Sequence, residues 1–150
     1  MRGRFNIKFM ISKSITETKK IAADFAATLR GGETIALEGE VGAGKTTFTQ
    51  GLAAALGAEG LARSPTFTVL NVYPTGREPI KKIVHVDAYR LRTSEDILNL
   101  GLEEWLDQTD SLVLIEWPNM VEEVEVKTDY VVRIEMGDLV EERKIEIEKK

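Results

Sequence analysis

The chain carries the stretch Gly39-Glu40-Val41-Gly42-Ala43-Gly44-Lys45-Thr46, which fits the pattern G-x-x-x-x-G-K-S/T at every fixed position. Residues 33–38 before it predict a buried strand, and residues 47–56 after it predict a helix that Gly57 stops. Glycines let the backbone fold closely around an anion. The backbone N–H groups and the positive end of the helix dipole would then stabilise the negative charge of that anion. The sequence therefore predicts a phosphate-binding loop.

The loop supplies most of the predicted ligand-binding residues. Lys45 is expected to reach the β- and γ-phosphates of a nucleoside triphosphate as a point charge. The Thr46 hydroxyl is expected to ligate Mg²⁺, and Thr47 to hydrogen-bond the α-phosphate. The predicted nucleotide-binding set consists of Glu40, Val41, Gly42, Ala43, Gly44, Lys45, Thr46 and Thr47.

Two hydrophobic strands are each predicted to end in an acid, Asp87 after Ile83–Val86 and Glu116 after Leu112–Ile115. Ligands in open α/β sheets bind at the carboxyl ends of the strands, so both acids are expected to face the nucleotide. One would serve the metal and the other would orient the attacking water. Glu116 joins Thr46 as a predicted metal ligand, but the sequence leaves open which acid has which task. His85, on the same strand face as Asp87, is interpreted as structural.

The segment Ser64-Pro65-Thr66-Phe67 lies some twenty residues after Lys45. In phosphate-loop switch proteins, a loop in this region supplies a threonine that senses the γ-phosphate and Mg²⁺. Thr66 is therefore predicted to be that sensor and to take part in catalysis. The alternative is that Ser64 and Thr66 only shape a turn beside the rigid proline.

The remaining segments predict one α/β domain over residues 1–150. Residues 5–11 alternate loosely and predict an edge strand. Ser14, with Glu17 three residues later, predicts a capped first helix that Gly31-Gly32 ends. Residues 129–136 and 143–148 predict a C-terminal hairpin. Together they favour a sandwich of helices on a central sheet.

Composition excludes several classes of protein. The net charge is −5, which is unfavourable for a stand-alone nucleic-acid-binding domain. No run of eighteen apolar residues predicts a membrane span, and the first ten residues lack the apolar stretch of a signal peptide. The absence of cysteine excludes disulfides and is compatible with a reducing cytoplasm. Whether Met1 or Met10 starts the protein is open.

Among phosphate-loop proteins, a guanine-specific GTPase would carry the tetrapeptide Asn/Thr-Lys-x-Asp, which does not occur. Its absence favours ATP. A small-molecule kinase usually carries an arginine-rich lid after mid-chain, whereas between the two acid-ending strands this chain has only Arg90 and Arg92 and no lid-sized insert. A motor or transporter ATPase would need a longer chain.

Five motifs resemble one family in order and spacing. They are Gly42-Ala43-Gly44-Lys45-Thr46-Thr47-Phe48, Ser64-Pro65-Thr66-Phe67, His85-Val86-Asp87-Ala88-Tyr89-Arg90, Gly101-Leu102-Glu103-Glu104 and Ile115-Glu116-Trp117-Pro118. Over roughly residues 12–148 the chain resembles the TsaE (YjeE) family, the ATPase component of the bacterial tRNA threonylcarbamoyladenosine machinery. It departs from the family pattern at Val41 and at Val86-Asp87-Ala88, without loss of a polar functional group.

The resemblance implies a P-loop NTPase-like three-layer sandwich with a mixed, mostly parallel sheet of about seven strands, and a cytoplasmic location. It implies that ATP/ADP and Mg²⁺ bind, that Asp87 and Glu116 serve the metal and the water, and that Trp117 lies beside them. It also implies action on TsaD and TsaB, and the acidic charge balance fits a subunit that contacts tRNA indirectly, mainly through these partners.

No obvious arginine finger is present in the sequence, which predicts slow hydrolysis by the chain alone. Two alternative functions stay open. One is a nucleotide-dependent assembly switch with incidental hydrolysis, and the other is a small-molecule kinase.

Overall fold

The computed structural model describes residues 6–40, 42–58, 70–87, 101–106, 108–117 and 128–150. Within them, the chain forms seven strands, which make one sheet, and three helices. In chain order these elements are β1 Ile7–Ser12, α1 Ile15–Ala26, β2 Thr34–Glu38, α2 Lys45–Leu56, β3 Leu70–Pro74, β4 Lys82–Asp87, α3 Glu103–Leu106, β5 Ser111–Trp117, β6 Tyr130–Met136 and β7 Arg143–Lys149.

The seven strands form a single mixed sheet in the order β1-β7-β6-β2-β5-β4-β3. Strand β2, which leads into the glycine-rich loop, lies in the middle and pairs in parallel with β5 and β6. Strand β4 continues the parallel set beyond β5, and only β3 and β7 run opposite to the other five strands. The mostly parallel sheet and the C-terminal β6–β7 hairpin confirm the predicted fold.

Apolar side chains cover both faces of the sheet. One face packs Leu37, Leu114 and Val132 against α1 and α2, where Phe48 and Leu52 are completely buried. On the other face, a smaller cluster contains Leu102, which lies just before α3, and Val113. The sheet between two helical faces is the predicted three-layer sandwich.

Helix α1 begins as predicted and ends earlier than predicted. The Glu17 N–H donates to the Ser14 hydroxyl oxygen at 3.1 Å, so Ser14 caps the helix. The helix ends at Ala26, before Gly31-Gly32, although Leu29 behind it is buried. The reason is local: the Thr28 hydroxyl donates to the Phe25 carbonyl at 2.7 Å and supplies an alternative to further helical bonding.

Gly51 brings α2 into close contact with α1. A Cβ at this position would lie 2.7 Å from the Lys19 Cα and 2.9 Å from the Lys19 carbonyl oxygen, so only glycine fits without movement of backbone. Because α2 carries the phosphate loop at its first turn, this contact helps to fix the loop against the core.

Replacement of Gly51 with leucine is expected to reduce the free energy of unfolding by about 1–3 kcal/mol, because the helices must separate. Chemical denaturation of the Gly51→Leu variant measures this change. Ala54→Leu introduces the same side chain at an exposed position of the same helix and is the control. Equal stability of the two variants would contradict the close packing of α1 on α2.

Within the parts of the chain that the structure describes, no helix combines the length and the apolar content needed to cross a membrane.

Candidate functional site

The glycine-rich loop joins β2 to α2 in a shape that depends on its glycines. Gly42 and Gly44 have φ angles of +86° and +107°, which residues with side chains rarely adopt. A Cβ on Gly39 would come within 2.7 Å of the Ile134 carbonyl oxygen on the adjacent strand. The loop therefore lies directly against β6, and Val41 within it lies outside the described residues.

Helix α2 starts without a side-chain cap, because its N-cap residue is Gly44. The first helical bond runs from the Phe48 N–H to the Gly44 carbonyl at 3.0 Å. The N–H groups of Lys45, Thr46 and Thr47 precede this bond in the first turn, where helix N–H groups have no partner within the helix. Such a turn, with the positive end of the helix dipole, favours an anion.

The two strand-end acids lie directly opposite each other, because Asp87 of β4 and Glu116 of β5 are register partners. Both side chains project from the sheet face that packs on α2, since they alternate in phase with the buried Ile83 and Leu114. The phosphate loop and the acids thus meet at one cavity of 580 Å³. Its lining consists of Ile15, Gly42, Gly44, Lys45, Thr46, Thr47, Asp87, Glu116 and Arg143.

Two side chains contact the same carboxylate oxygen of Glu116 and restrain its position. The His85 Nε2 atom lies 3.2 Å from Oε1, and the Thr49 hydroxyl donates to Oε1 at 3.5 Å, the outer limit of a hydrogen bond. Neither ring nitrogen of buried His85 makes a well-angled hydrogen bond with a described residue, so the 3.2 Å contact with Glu116 is a poorly aligned polar contact.

The same contacts set the charge of Glu116. Burial raises the pKa of its carboxyl, but the contact and charge of His85, the charge of Lys45 and the Thr49 hydroxyl outweigh burial and lower the pKa below its ordinary value. Glu116 is therefore a carboxylate at neutral pH. An ionised acceptor in this position can bind a cation or accept a hydrogen bond from water.

Sequence reasoning missed Thr49, Ile15 and Arg143 at this site. Arg143 begins β7, and its side chain lies along Gly44, with Nε 3.7 Å from the position of a Cβ there. A signal was present in the sequence, because Ile145 and Ile147 mark the buried face of β7 and Arg143 falls on that face by period two.

Several predicted residues lie outside the described part of the chain. Thr66, with the Ser64–Phe67 segment, cannot be compared with the site, and neither can Tyr89 or Arg90. Trp117 ends β5, but its side chain is not described. The structure brings Lys45, Thr46, Thr47, Asp87 and Glu116 to one cavity, and their individual roles stay predictions.

The cavity combines anion-binding and cation-binding groups. Among the described residues that line it, Lys45 and Arg143 are cationic, and Asp87 and Glu116 are anionic. Phosphate would be held by the loop and the cations, and a divalent ion by the carboxylates. This arrangement suits a metal-bound polyphosphate.

Comparison with known families gives a match over most of the chain. The model of the family described as "Threonylcarbamoyl adenosine biosynthesis protein TsaE" matches residues 12–145. The chain belongs to the TsaE family. The family takes part in the biosynthesis of threonylcarbamoyladenosine in tRNA.

Individual relatives agree with this assignment. The chain is 41% identical over 107 residues to the tRNA threonylcarbamoyladenosine biosynthesis protein TsaE of Bacillus subtilis, a match that covers 71% of this chain and 64% of the relative. It is also 41% identical over 112 residues to the TsaE protein of Rickettsia bellii, which covers 74% of each chain. The matched part thus spans less than two thirds of the Bacillus subtilis relative.

The fold has a counterpart among solved structures. The crystal structure of YdiB from Bacillus subtilis superposes with a TM-score of 0.72 at 30% sequence identity. The match covers 95% of this chain and 85% of that chain.

Proposed function

We propose that this chain binds and hydrolyses ATP as a subunit of the machinery that forms threonylcarbamoyladenosine in tRNA. Membership in the TsaE family supports the pathway. One observation of the site supports the activity: the phosphate loop and two strand-end carboxylates face the same cavity of 580 Å³. A loop that only turned the chain would need neither the lysine nor the paired acids.

The residues present fit Mg²⁺. This ion keeps several water ligands and takes only one or two carboxylates beside phosphate oxygens. Asp87 and Glu116 are the two carboxylates that line the cavity with the loop, which matches that number. Thr46, Glu116 and Asp87 would hold it, and it would neutralise charge on the phosphate oxygens.

The chain's own groups would act mainly by position and charge. Lys45 and the N–H groups of the first turn of α2 would hold the β- and γ-phosphates. One carboxylate would hold the metal, and the other would accept a hydrogen bond from water and orient it for attack. Glu116 suits either task because it is ionised and because His85 and Thr49 restrain one of its oxygens.

We infer further that the chain acts on the TsaD–TsaB pair and contacts tRNA through those partners. The net charge of −5 supports this, since an acidic subunit is poorly suited to hold RNA by itself. Hydrolysis by the chain alone is expected to be slow, because a missing arginine finger can cost about 10³–10⁵ in rate.

The test is ATP turnover by the purified chain, with and without purified TsaD–TsaB. We expect weak turnover that rises when the pair is added. Failure of the chain to bind Mg·ATP would contradict the proposal. Many rounds of tRNA modification with a non-cleavable ATP analogue would instead favour an assembly switch whose hydrolysis is incidental. Phosphoryl transfer to a nucleoside or a sugar would favour a kinase.

His85 is expected to act as a positioning residue for Glu116. Replacement with leucine removes the 3.2 Å contact, and turnover is expected to fall about 10-fold while ADP affinity is retained. Replacement with glutamine restores a donor near the position of Nε2 and should recover part of the turnover. Steady-state rates and ADP titration measure both variants. Equal losses of turnover in the leucine and glutamine variants would mean that His85 only fills the core.

A further inference from the structure

Strand β1 lies at one end of the sheet, and no described strand pairs with its outer edge. Ile7, Phe9 and Ile11 alternate along it, and their side chains are 38%, 73% and 59% exposed. All three project from the sheet face opposite α1, because the intervening Met10 packs against the core cluster to which α1 contributes. A row of exposed apolar side chains thus follows the outer edge of the described sheet.

The backbone of the same three residues also points outward. Strand β7 pairs with the inner side of β1, where the Lys149 N–H donates to the Asn6 carbonyl oxygen at 2.8 Å. In an antiparallel pair, residues that exchange hydrogen bonds alternate with residues that do not, so the even-numbered residues of β1 bond to β7. The N–H and C=O groups of Ile7, Phe9 and Ile11 therefore face away from β7 and can pair with a further strand.

Strand β1 carries little of what usually keeps an edge strand from associating. Proteins protect such edges with proline and with charged side chains. The opposite edge strand, β3, ends in Pro74, whereas β1 contains no proline and one charged residue, Lys8. Lys8 shares the α1 face with Met10 by alternation, so the exposed face of β1 is entirely apolar.

We propose that β1 pairs with β1 of a second copy of this chain, antiparallel and about a two-fold axis beside Phe9. Phe9 then lies opposite Phe9 of the second copy, and Ile7 lies opposite Ile11. The three pairs bring apolar side chains together on one face, and each pair exchanges two backbone hydrogen bonds. The two seven-stranded sheets become one continuous sheet.

Charge and alternation select this register from its neighbours. A register shifted toward the N-terminus would place Lys8 opposite Lys8 of the second copy, and like charges directly opposite each other are destabilising. A register shifted toward the C-terminus would place Ile7 opposite Lys13 and lose an apolar pair. Pairing centred on Phe9 avoids both. Because the contact consists of one short strand from each copy, we expect a dissociation constant in the micromolar range.

The experiment is sedimentation equilibrium of the purified chain from micromolar to millimolar concentrations, where the wild type should dimerise reversibly. Phe9→Lys and Phe9→Asp should each weaken dimerisation by about 10-fold or more, because each removes the apolar pair and places like charges at the axis. An equimolar mixture of these two variants should recover dimers, because the charges are then opposite. Leu139→Lys is the control: Leu139 is 69% exposed, lies outside β1, and its replacement should leave dimerisation unchanged.

Hydrogen exchange gives a readout that needs no variant. As the wild-type concentration rises, exchange of the Phe9 and Ile11 amides should slow, whereas the Lys8 and Met10 amides, already bonded to β7, should not change. A wild type that stays monomeric, dimers that Phe9→Lys leaves intact, or a mixture that recovers no dimers would overturn the proposal. So would a monomeric wild type whose Phe9→Lys variant no longer binds TsaD–TsaB, since that pair would then occupy the edge.

Discussion

Replacement of Lys45 with alanine is expected to weaken Mg·ADP and Mg·ATP binding by about 100-fold or more, and so to abolish turnover at ordinary ATP concentrations. Lys45 is the first residue of α2 and lines the cavity beside Gly44 and Thr46. Without its charge, the loop would hold phosphates only through N–H groups and the helix dipole, while two carboxylates stay close by. The loss should therefore affect ADP and ATP alike.

The protein fold should survive this change, since alanine is favourable in a helix and Lys45 lies at the rim of the core. Thermal unfolding without nucleotide measures that directly. Lys20→Ala, which removes an exposed lysine from α1, is the control for the loss of one positive charge. Normal ATP hydrolysis by Lys45→Ala would mean that the nucleotide site has been assigned to the wrong part of the molecule.

Replacement of Glu116 with glutamine is expected to separate binding from turnover. ADP affinity should change little, because the phosphate loop is intact, whereas ATP turnover should fall by about 10²–10⁴-fold if Glu116 orients or deprotonates water. The shape of the side chain is kept, so its contacts with His85 and Thr49 can persist. Nucleotide titration and single-turnover hydrolysis measure the two quantities.

Asp87→Asn is the matched variant, because Asp87 is the register partner of Glu116 on the neighbouring strand. Replacement of the acid that holds the metal with its amide should weaken the Mg²⁺-dependent part of nucleotide binding. Replacement of the acid that orients water should leave that part intact. If Glu116→Gln hydrolyses ATP at the wild-type rate, Glu116 has neither task and its restraint by His85 is structural.

Local patterns predicted the elements that carry the site. The strand before Gly39, the helix after Thr46 and the cap at Ser14 each depend on residues within a few positions of one another, so the sequence is sufficient to predict them. The same holds for Asp87 and Glu116, since an acid after an apolar run marks a strand end. The prediction failed at the end of α1, where a side-chain hydrogen bond at Thr28 competes with the helix before Gly31 is reached.

Contacts between distant segments required the tertiary structure. The sequence predicted that His85 shares a face with Asp87, but not that Nε2 of His85 lies 3.2 Å from Glu116 on another strand. Likewise, the position of Arg143 beside Gly44 depends on β6 pairing with β2 and on β7 folding back along β6. Strand pairing of this kind is decided by burial of the whole sheet and not by a local signal.

The sequence by itself determined that a glycine-rich loop stands between a buried strand and a helix, and that two later strands end in acids. It could do so because glycine conformation and side-chain alternation are local properties of the chain. Only the tertiary structure decided which groups surround the loop. The strand order puts the acids on one side of β2 and Arg143 on the other, because the packing of the two sheet faces selects that order.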